Sequence, residues 1–218
     1  MNKLSVVVAS VVSLTSLIGG NAYALDGLSA NASISNNYIW RGVSQTQNQA
    51  GVSGGIDFDT SAGFYLGAWA SNVDFSDQTT AEIDVYGGYR FEINELALDV
   101  GYLYYGYPGG DDLAFSEVYA NVTWQVVTIG YHILADSQWG DDFGDSDYAF
   151  ADIAFEISDG LELGLHYGHS SFDGAQGYSD YGISLSKNGF SFGLTDTDSD
   201  AIDADFLVSV SYSIDFDL

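Results

Sequence analysis

The sequence predicts an all-β protein, a transmembrane antiparallel up-and-down β-barrel of about 12 strands. Three features support this prediction. Apolar and polar residues alternate with period two, short and long connections alternate between these segments, and aromatic residues lie at segment ends. Period-two alternation is typical of strands, because a helix would place the same apolar residues all around its axis.

Alternation defines the predicted strands. From Ala81 to Glu92, one face is apolar or aromatic and the other carries most of the charges. A tilted strand that crosses a membrane takes about 9–11 residues, and the segments are of that length. The predicted strands lie near 28–40, 50–59, 64–73, 80–92, 96–107, 115–124, 127–135, 146–157, 161–170, 178–187, 190–197 and 204–218.

The connections alternate in length. Short ones fall at 60–63, 93–95, 125–126, 158–160 and 188–189, and longer ones at 41–49, 74–79, 108–114, 136–145, 171–177 and 198–203. Outer-membrane barrels have short periplasmic turns and longer external loops, whereas a soluble β-sandwich has no reason to place every short turn at one end. The pattern predicts a protein of the Gram-negative cell outer membrane, with the lipid bilayer and outer-leaflet lipopolysaccharide as partners.

Aromatic residues give a further indication of membrane insertion. Tyr38 and Trp40 end the first predicted strand, and Tyr102 and Tyr104 end the fifth. Rings at strand ends are typical of the interfacial girdles of membrane barrels. Ordinary cross-strand packing of aromatic pairs is the alternative explanation.

Both ends of the chain carry export features. Residues 1–24 combine Lys3, an apolar stretch and the small-x-small pattern of Ala22 to Ala24, which predicts a cleaved secretory signal peptide. The predicted barrel occupies residues 25–218. The last strand alternates up to Leu218 with Phe216 as its final aromatic, which resembles the signal that outer-membrane barrels present to the barrel-assembly machinery, so that machinery is an expected partner.

The composition excludes several classes of function. The chain has 31 acidic residues, four basic residues and a net charge of −27, so nucleic acid is not an expected partner, because binding it needs Lys and Arg to neutralise phosphates. The 33 aromatic residues (16 Tyr, 13 Phe and 4 Trp) argue against a disordered acidic chain. The absence of Cys excludes thiol catalysis and Cys-ligated metal.

Three motifs lie in the first half of the mature chain. They are Trp40-Arg41-Gly42-Val43-Ser44-Gln45-Thr46, Gly63-Phe64-Tyr65-Leu66-Gly67 and Ser71-Asn72-Val73-Asp74-Phe75, with looser matches at 82–89, 105–108 and 117–119. They resemble the TorF-type porins of proteobacteria, a conserved family of unknown function. The resemblance implies an outer-membrane barrel and brings no known substrate or catalytic site. Beyond Trp124 it rests on the strand pattern alone.

Charged residues on the strands are predicted to face the lumen, because a basic residue facing lipid at mid-membrane costs about 2–4 kcal/mol and an acidic one somewhat less. An acidic lumen favours cations over anions. A lumen filled by side chains is the alternative, since small barrels are often filled. Bulky Tyr65, Trp69, Tyr86 and Tyr119 favour a narrow interior, whereas inward Gly and Ser favour space. The lumen candidates are Glu82, Asp84, Arg90, Asp99, Glu117 and Asp152.

Arg41 lies where the first predicted strand meets the first long connection. Paired with acidic loop residues, its guanidinium would clamp that loop against the rim of the barrel. A solvated surface arginine is the alternative.

Two other features invite a chemical role. His132 and His166 lie on alternate predicted strands with Asp152 between them, but no motif with a positioned nucleophile accompanies them, so no catalytic residue is predicted. Asp196, Asp198 and Asp200 have the spacing of oxygen ligands for Ca²⁺, without the Gly and Glu of an EF-hand. The alternatives are a weak external Ca²⁺ site and a solvated acidic loop, and no other cofactor is expected.

The sequence thus predicts a small, cation-leaning diffusion channel for small solutes or cations. A closed structural or surface-interaction barrel without transport is the main alternative, and an outer-membrane enzyme is the less favoured third.

Overall fold

The structure, a computed structural model, describes residues 27–199 and 206–218. The predicted signal peptide lies outside these residues. Within them, twelve antiparallel strands form a closed barrel, and two short strands, β2 and β3, pair separately. The strands are β1 (Leu28–Ser35), β2 (Ile39–Trp40), β3 (Val43–Ser44), β4 (Gly51–Asp59), β5 (Phe64–Asn72), β6 (Ala81–Ile93), β7 (Leu96–Gly106), β8 (Phe115–Trp124), β9 (Val127–Ser137), β10 (Ser146–Ser158), β11 (Leu161–Phe172), β12 (Ala175–Lys187), β13 (Phe190–Thr197) and β14 (Leu207–Asp217).

The barrel has up-and-down connectivity. Each wall strand pairs with its neighbours in sequence, and β1 closes the barrel on β14 with Ser29 opposite Asp217 and Ser35 opposite Ser211. Closure pairs the backbone groups of both edge strands, which is what a sheet in lipid requires. The predicted fold class and the predicted twelve wall strands are confirmed.

Two predicted boundaries are wrong. The first strand ends at Ser35 rather than near 40, because the chain leaves the wall there and continues as the separate β2–β3 pair. The predicted long connection 171–177 is a two-residue turn, Asp173-Gly174, because β11 and β12 stay paired as far as Phe172 and Ala175. Gly174 has a φ of +71°, which glycine adopts without steric cost.

The two faces of the wall differ in polarity. Along β14, Val208, Val210, Tyr212, Ile214 and Phe216 are exposed on the outer face, and the intervening residues from Leu207 to Asp215 are partly buried. The same pattern on the other strands leaves large apolar side chains across the exterior. An apolar exterior on a closed barrel is the surface of an outer-membrane protein. No helix long and apolar enough to span a membrane occurs in the described residues.

Tyrosine rings enter the interior at two of the inward glycines. A Cβ atom added at Gly168 would lie 2.1 Å from the Tyr148 hydroxyl oxygen, and one added at Gly88 would lie 2.4 Å from the Tyr65 hydroxyl oxygen. The inward glycines were expected to leave space. At these two positions they instead accommodate tyrosines that reach across from neighbouring strands.

Candidate functional site

The connection between β1 and β4, residues 36–50, lies inside the barrel and is called the inner loop below. Its Tyr38 hydroxyl donates a hydrogen bond to Glu82 of β6 at 2.7 Å, and its Arg41 contacts Glu117 of β8 at 2.7 Å. It also meets β10 and β12 through Tyr148 and Tyr178. The contacted side chains Glu82, Glu117 and Tyr148 are buried on the inner face of the wall, so the loop reaches them from within. The inner loop therefore crosses the lumen.

The tip of the inner loop is a tight hairpin. Trp40 of β2 pairs with Val43 of β3, and Arg41 and Gly42 form the turn with φ values of +47° and +80°. Two central residues with positive φ are typical of a type I′ turn, which matches the twist of a hairpin. A Cβ atom added at Gly42 would lie 2.3 Å from Thr197 Cγ2 of β13, so the tip rests directly on the wall.

Hydrogen bonds hold the base of the inner loop in one conformation. The fully buried Thr46 hydroxyl lies 2.7 Å from the Gln49 carbonyl oxygen and accepts a hydrogen bond from the Tyr38 amide at 3.1 Å. The Gln45 amide donates to the Tyr38 carbonyl at 2.7 Å, and the Asp74 amide donates to the Gln45 carbonyl at 2.8 Å. The base is thus tied to itself and to the next connection, which directs the tip inward.

Arg41 is the cation of the site. Its Nη2 lies 2.7 Å from Glu117 Oε2, with 11% and 4% of the two side chains exposed. Its guanidinium carbon lies 4.3 Å and 4.2 Å from the ring centres of Trp40 and Tyr148, distances at which a cation is attracted to a ring face. Burial lowers the pKa of Arg41, but the charge of Glu117 outweighs it and the net pKa is raised. Arg41 is therefore a permanent buried cation.

Glu117 is positioned by the wall as well as by Arg41. The Tyr105 hydroxyl donates to Glu117 Oε2 at 3.2 Å, and His132 Nδ1 lies 3.2 Å from the same oxygen. The Trp40 ring packs edge-on against Tyr105, with ring centres 5.9 Å apart. The carboxylate thus accepts contacts from three directions, which fixes its position across the lumen.

A second cluster lies beside the tip of the inner loop. His166 Nδ1 is 2.6 Å from Asp152 and His166 Nε2 is 2.7 Å from Asp180, whose side chain is 1% exposed. The Tyr148 hydroxyl is within 3.1 Å of both Asp180 oxygens and 2.9 Å from His166 Nε2. His166 therefore contacts Asp152 and Asp180, whereas His132 contacts Glu117, so the two histidines do not share Asp152.

Glu82 and Asp84 form a third group of buried acidic side chains, on the inward face of β6. Burial, followed by the Glu82 charge, raises the pKa of Tyr38, so its hydroxyl remains a donor to Glu82. Asp84 is 7% exposed, and its Oδ1 has no hydrogen-bond partner within the described residues. In the part of the chain that the structure describes, neither carboxyl group forms an ion pair with a basic side chain.

The matching family model is described as a bacterial protein of unknown function (Gcw_chp), and it covers residues 21–215. The chain belongs to the Gcw_chp family. This finding agrees with the coarser part of the resemblance drawn from the motifs, a bacterial family of unknown function, and the TorF name itself stays a prediction. No curated protein matches the sequence.

Solved porin structures share the fold of this Gcw_chp protein. A KdgM porin has a TM-score of 0.56 at 6% identity, with 88% of this chain and 99% of that chain covered. A structure described as a KdgM porin in complex with disordered oligogalacturonate has a TM-score of 0.57 at 6% identity, with the same shares of the two chains covered. A structure from a study of in-meso crystallisation of membrane proteins gives 0.58 at 10% identity, with coverages of 88% and 85%. These likenesses show a porin-type barrel fold.

The Gcw_chp barrel distributes the predicted lumen residues over separate places. Glu82, Asp84 and Glu117 lie around the inner loop, and Asp152 lies in the His166 cluster. Arg90 and Asp99 lie near the short-turn end, where Arg90 contacts Asp59 at 2.6 Å and Asp99 at 3.8 Å. Arg90 is the one basic residue among these predicted lumen residues. It is paired at the other end of β6 from Glu82 and Asp84.

The partner predicted for Arg41 is corrected by the structure. A loop carboxylate at the rim was expected, and the partner is Glu117 on the opposite wall, because the inner loop folds inward. The loop is clamped, but across the lumen.

Sequence reasoning missed Asp180 as a lumen residue. Tyr181 and Ile183 of the same strand are exposed on the outer face of the barrel. Alternation from Tyr181 therefore places Asp180 on the inner face. Its contact with the tip of the inner loop had no such signal.

The predicted Ca²⁺ site is only partly described. Asp196 accepts from the Thr197 amide at 2.9 Å, and Asp198 accepts from the Ser179 amide at 2.6 Å. That backbone hydrogen bond lowers the pKa of Asp198. Asp200 lies outside the described residues, and within them no group of three or more His, Cys, Asp or Glu could hold a metal. The site stays a prediction.

Gly42→Ala is expected to destabilise the barrel more than Gly140→Ala. Both glycines have positive φ, which costs alanine about 1–2 kcal/mol. Only at Gly42 would the new methyl group clash, with Thr197 and Asp180, whereas nothing lies within 4 Å at Gly140. Overpacking adds about 1–3 kcal/mol, measurable as a lower urea midpoint. Equal losses in the two variants would show that the tip does not rest on the wall.

Proposed function

We propose that this Gcw_chp protein is an outer-membrane channel for small cationic solutes, with its constriction where the inner loop crosses the lumen. The observation that carries this proposal is the contact of Arg41 with Glu117 across the barrel. A loop that folds into a barrel and is fixed to the opposite wall narrows the passage and sets its chemistry at that level.

The charge of the lumen supports cations over anions. The buried carboxylates are Asp57, Glu82, Asp84, Glu117, Asp152 and Asp180. Among the described residues, Arg41 is the arginine in contact with this set, at Glu117, and Arg90 lies half-exposed near the short-turn end. His132 contacts Glu117, and His166 contacts Asp152 and Asp180, so within the same residues Glu82 and Asp84 have no basic partner. Carboxylates in a narrow space attract cations and repel anions. An anionic sugar acid, such as the oligogalacturonate of the KdgM complex, does not fit such a lining.

A closed barrel that passes nothing is the second candidate function, and the burial of the same carboxylates favours it. Glu82 is 2% exposed and Glu117 is 3% exposed, so little solvent reaches them with the inner loop in place. For the channel proposal, passage requires the tip of the inner loop to move. The porin-type fold favours passage over catalysis, and we propose no enzymatic activity.

The zero-current potential of the reconstituted protein under a salt gradient tests the channel proposal. We expect a sign that indicates cation preference, and a smaller potential at high salt, because screening shortens electrostatic reach to about 10 Å at 0.1 M. Glu82→Gln with Asp84→Asn should reduce the preference. Folded, inserted protein without any conductance, in the wild type and in variants that release the inner loop, would favour the closed barrel.

A further inference from the structure

The contacts of Arg41 divide between a loop and a wall. The side chain comes from the inner loop, whose residues 36–50 take no part in the barrel wall. The groups that receive the guanidinium, Glu117 and Tyr148, belong to β8 and β10. Because the receiving groups are wall residues, they remain in the wall when the tip moves away.

The receiving groups are positioned without help from the inner loop. Glu117 Oε2 is contacted by Tyr105 of β7 and His132 of β9. The Tyr148 hydroxyl is held by Asp180 and His166 from β12 and β11. Each of these partners is itself a wall residue. The carboxylate and the ring face are thus preorganised, and preorganised groups bind a ligand with less loss of conformational freedom.

A carboxylate beside an aromatic ring face is chemistry that recognises a planar organic cation. A guanidinium group is planar, keeps its charge, pairs with carboxylates and stacks on aromatic rings. Here Arg41 Nη2 lies 2.7 Å from Glu117 Oε2, and the guanidinium carbon lies 4.2 Å from the centre of the Tyr148 ring. The other buried carboxyl groups of the lumen would also attract a positively charged solute.

The residue type at the loop tip supports a ligand-like role for the side chain. Arg41 has a φ of +47°, a left-handed conformation that Asn, Asp and Gly adopt most readily in this turn. Arginine has no conformational advantage there. Its side chain, which reaches Glu117, accounts for its presence better than its backbone does.

We propose that Glu117 and Tyr148 form a binding site for a guanidinium-bearing solute, and that Arg41 occupies this site as a tethered substitute for that solute. The proposal deepens the proposed function and rests on it for the role of the ligand as the permeating cation. Binding of the solute at Glu117 and seating of the inner loop then exclude each other, so a solute of this class opens the constriction by competing with Arg41.

Chemical rescue of Arg41→Ala tests this site. The full-length variant is folded in detergent micelles, and its unfolding temperature is measured with methylguanidinium, or with methylurea as the neutral analogue of the same shape. We expect methylguanidinium in several-fold excess over its Kd to raise the unfolding temperature by about 2–4 °C. Methylurea should have no effect. The wild type, whose site is filled, should respond less than Arg41→Ala.

The variant Arg41→Ala/Glu117→Gln is the matched control, because it keeps the emptied site and removes the carboxylate. It should not respond to methylguanidinium. Arg41→Gln replaces Arg41→Ala in the same comparison if the alanine variant does not fold. Absence of any rise, or equal rises with methylurea or in the double variant, would overturn the proposal. Unfolding does not depend on ion flow, so this result stands apart from the conductance test of the channel.

Discussion

We expect Arg41→Ala to lower the free energy of unfolding of the barrel by about 3–5 kcal/mol, because it leaves Glu117 as a buried carboxylate without its cation. Glu117→Gln should cost a similar amount by leaving Arg41 buried without its anion. The double variant Arg41→Ala/Glu117→Gln should lose less than the sum of the two single losses, since it strands neither charge. Urea unfolding of the barrel in detergent or lipid measures all three losses.

The pair formed by Arg90 and Asp59 is a matched control for this cycle. Its Nη1–Oδ1 distance is 2.6 Å, close to the 2.7 Å of the Arg41–Glu117 pair, but 51% and 49% of its side chains are exposed. An exposed pair contributes about 0–1 kcal/mol, so Arg90→Ala and Asp59→Asn should have small effects. Equal losses for the two pairs would contradict the seating of Arg41 on the far wall.

Shortening the inner loop should raise the single-channel conductance several-fold. Replacing Ile39–Ser44 by Asn-Gly removes Trp40 and Arg41 from the lumen. The 2.7 Å hydrogen bond from the Gln45 amide to the Tyr38 carbonyl already sets the register that a two-residue turn needs. The wall contacts of the tip are lost together, so the passage widens at that level.

Deletion of residues 139–142 is the control for loop shortening. These residues are exposed in the connection between β9 and β10. Their loss should leave the conductance unchanged. An inner-loop variant that folds and inserts with the conductance of the wild type would show that the inner loop is not the constriction.

The wall of the barrel could be predicted from the sequence because a strand in lipid follows a local rule. The outward position of Val208, Val210 and Tyr212 follows from the polarity of each residue and its neighbours alone. The same rule applies to Asp180, whose inward side chain could have been found by continuing the alternation from Tyr181.

The inner loop could not be predicted in the same way. Apolar and polar residues alternate through Ile39 and Trp40 as they do in a wall strand, although these two residues form a hairpin strand inside the lumen. The local pattern is the same in both cases, so it could not show that the chain leaves the wall. The partner of Arg41 depends on which strands stand opposite β1 after closure, and Glu117 is far away in sequence. The residues around Arg41 and Asp74 that carried the family resemblance form the inner loop and the connection bonded to its base.

The zero-current potential of the barrel with the shortened inner loop tests the cation pathway most directly. Removing Arg41 leaves Glu117 without its arginine, so cation preference should exceed that of the wild type. Adding Glu82→Gln and Asp84→Asn should then reduce it. Cation preference that strengthens and then weakens in this order is the predicted result. Anion preference, or a potential unchanged by the two substitutions, would contradict the account.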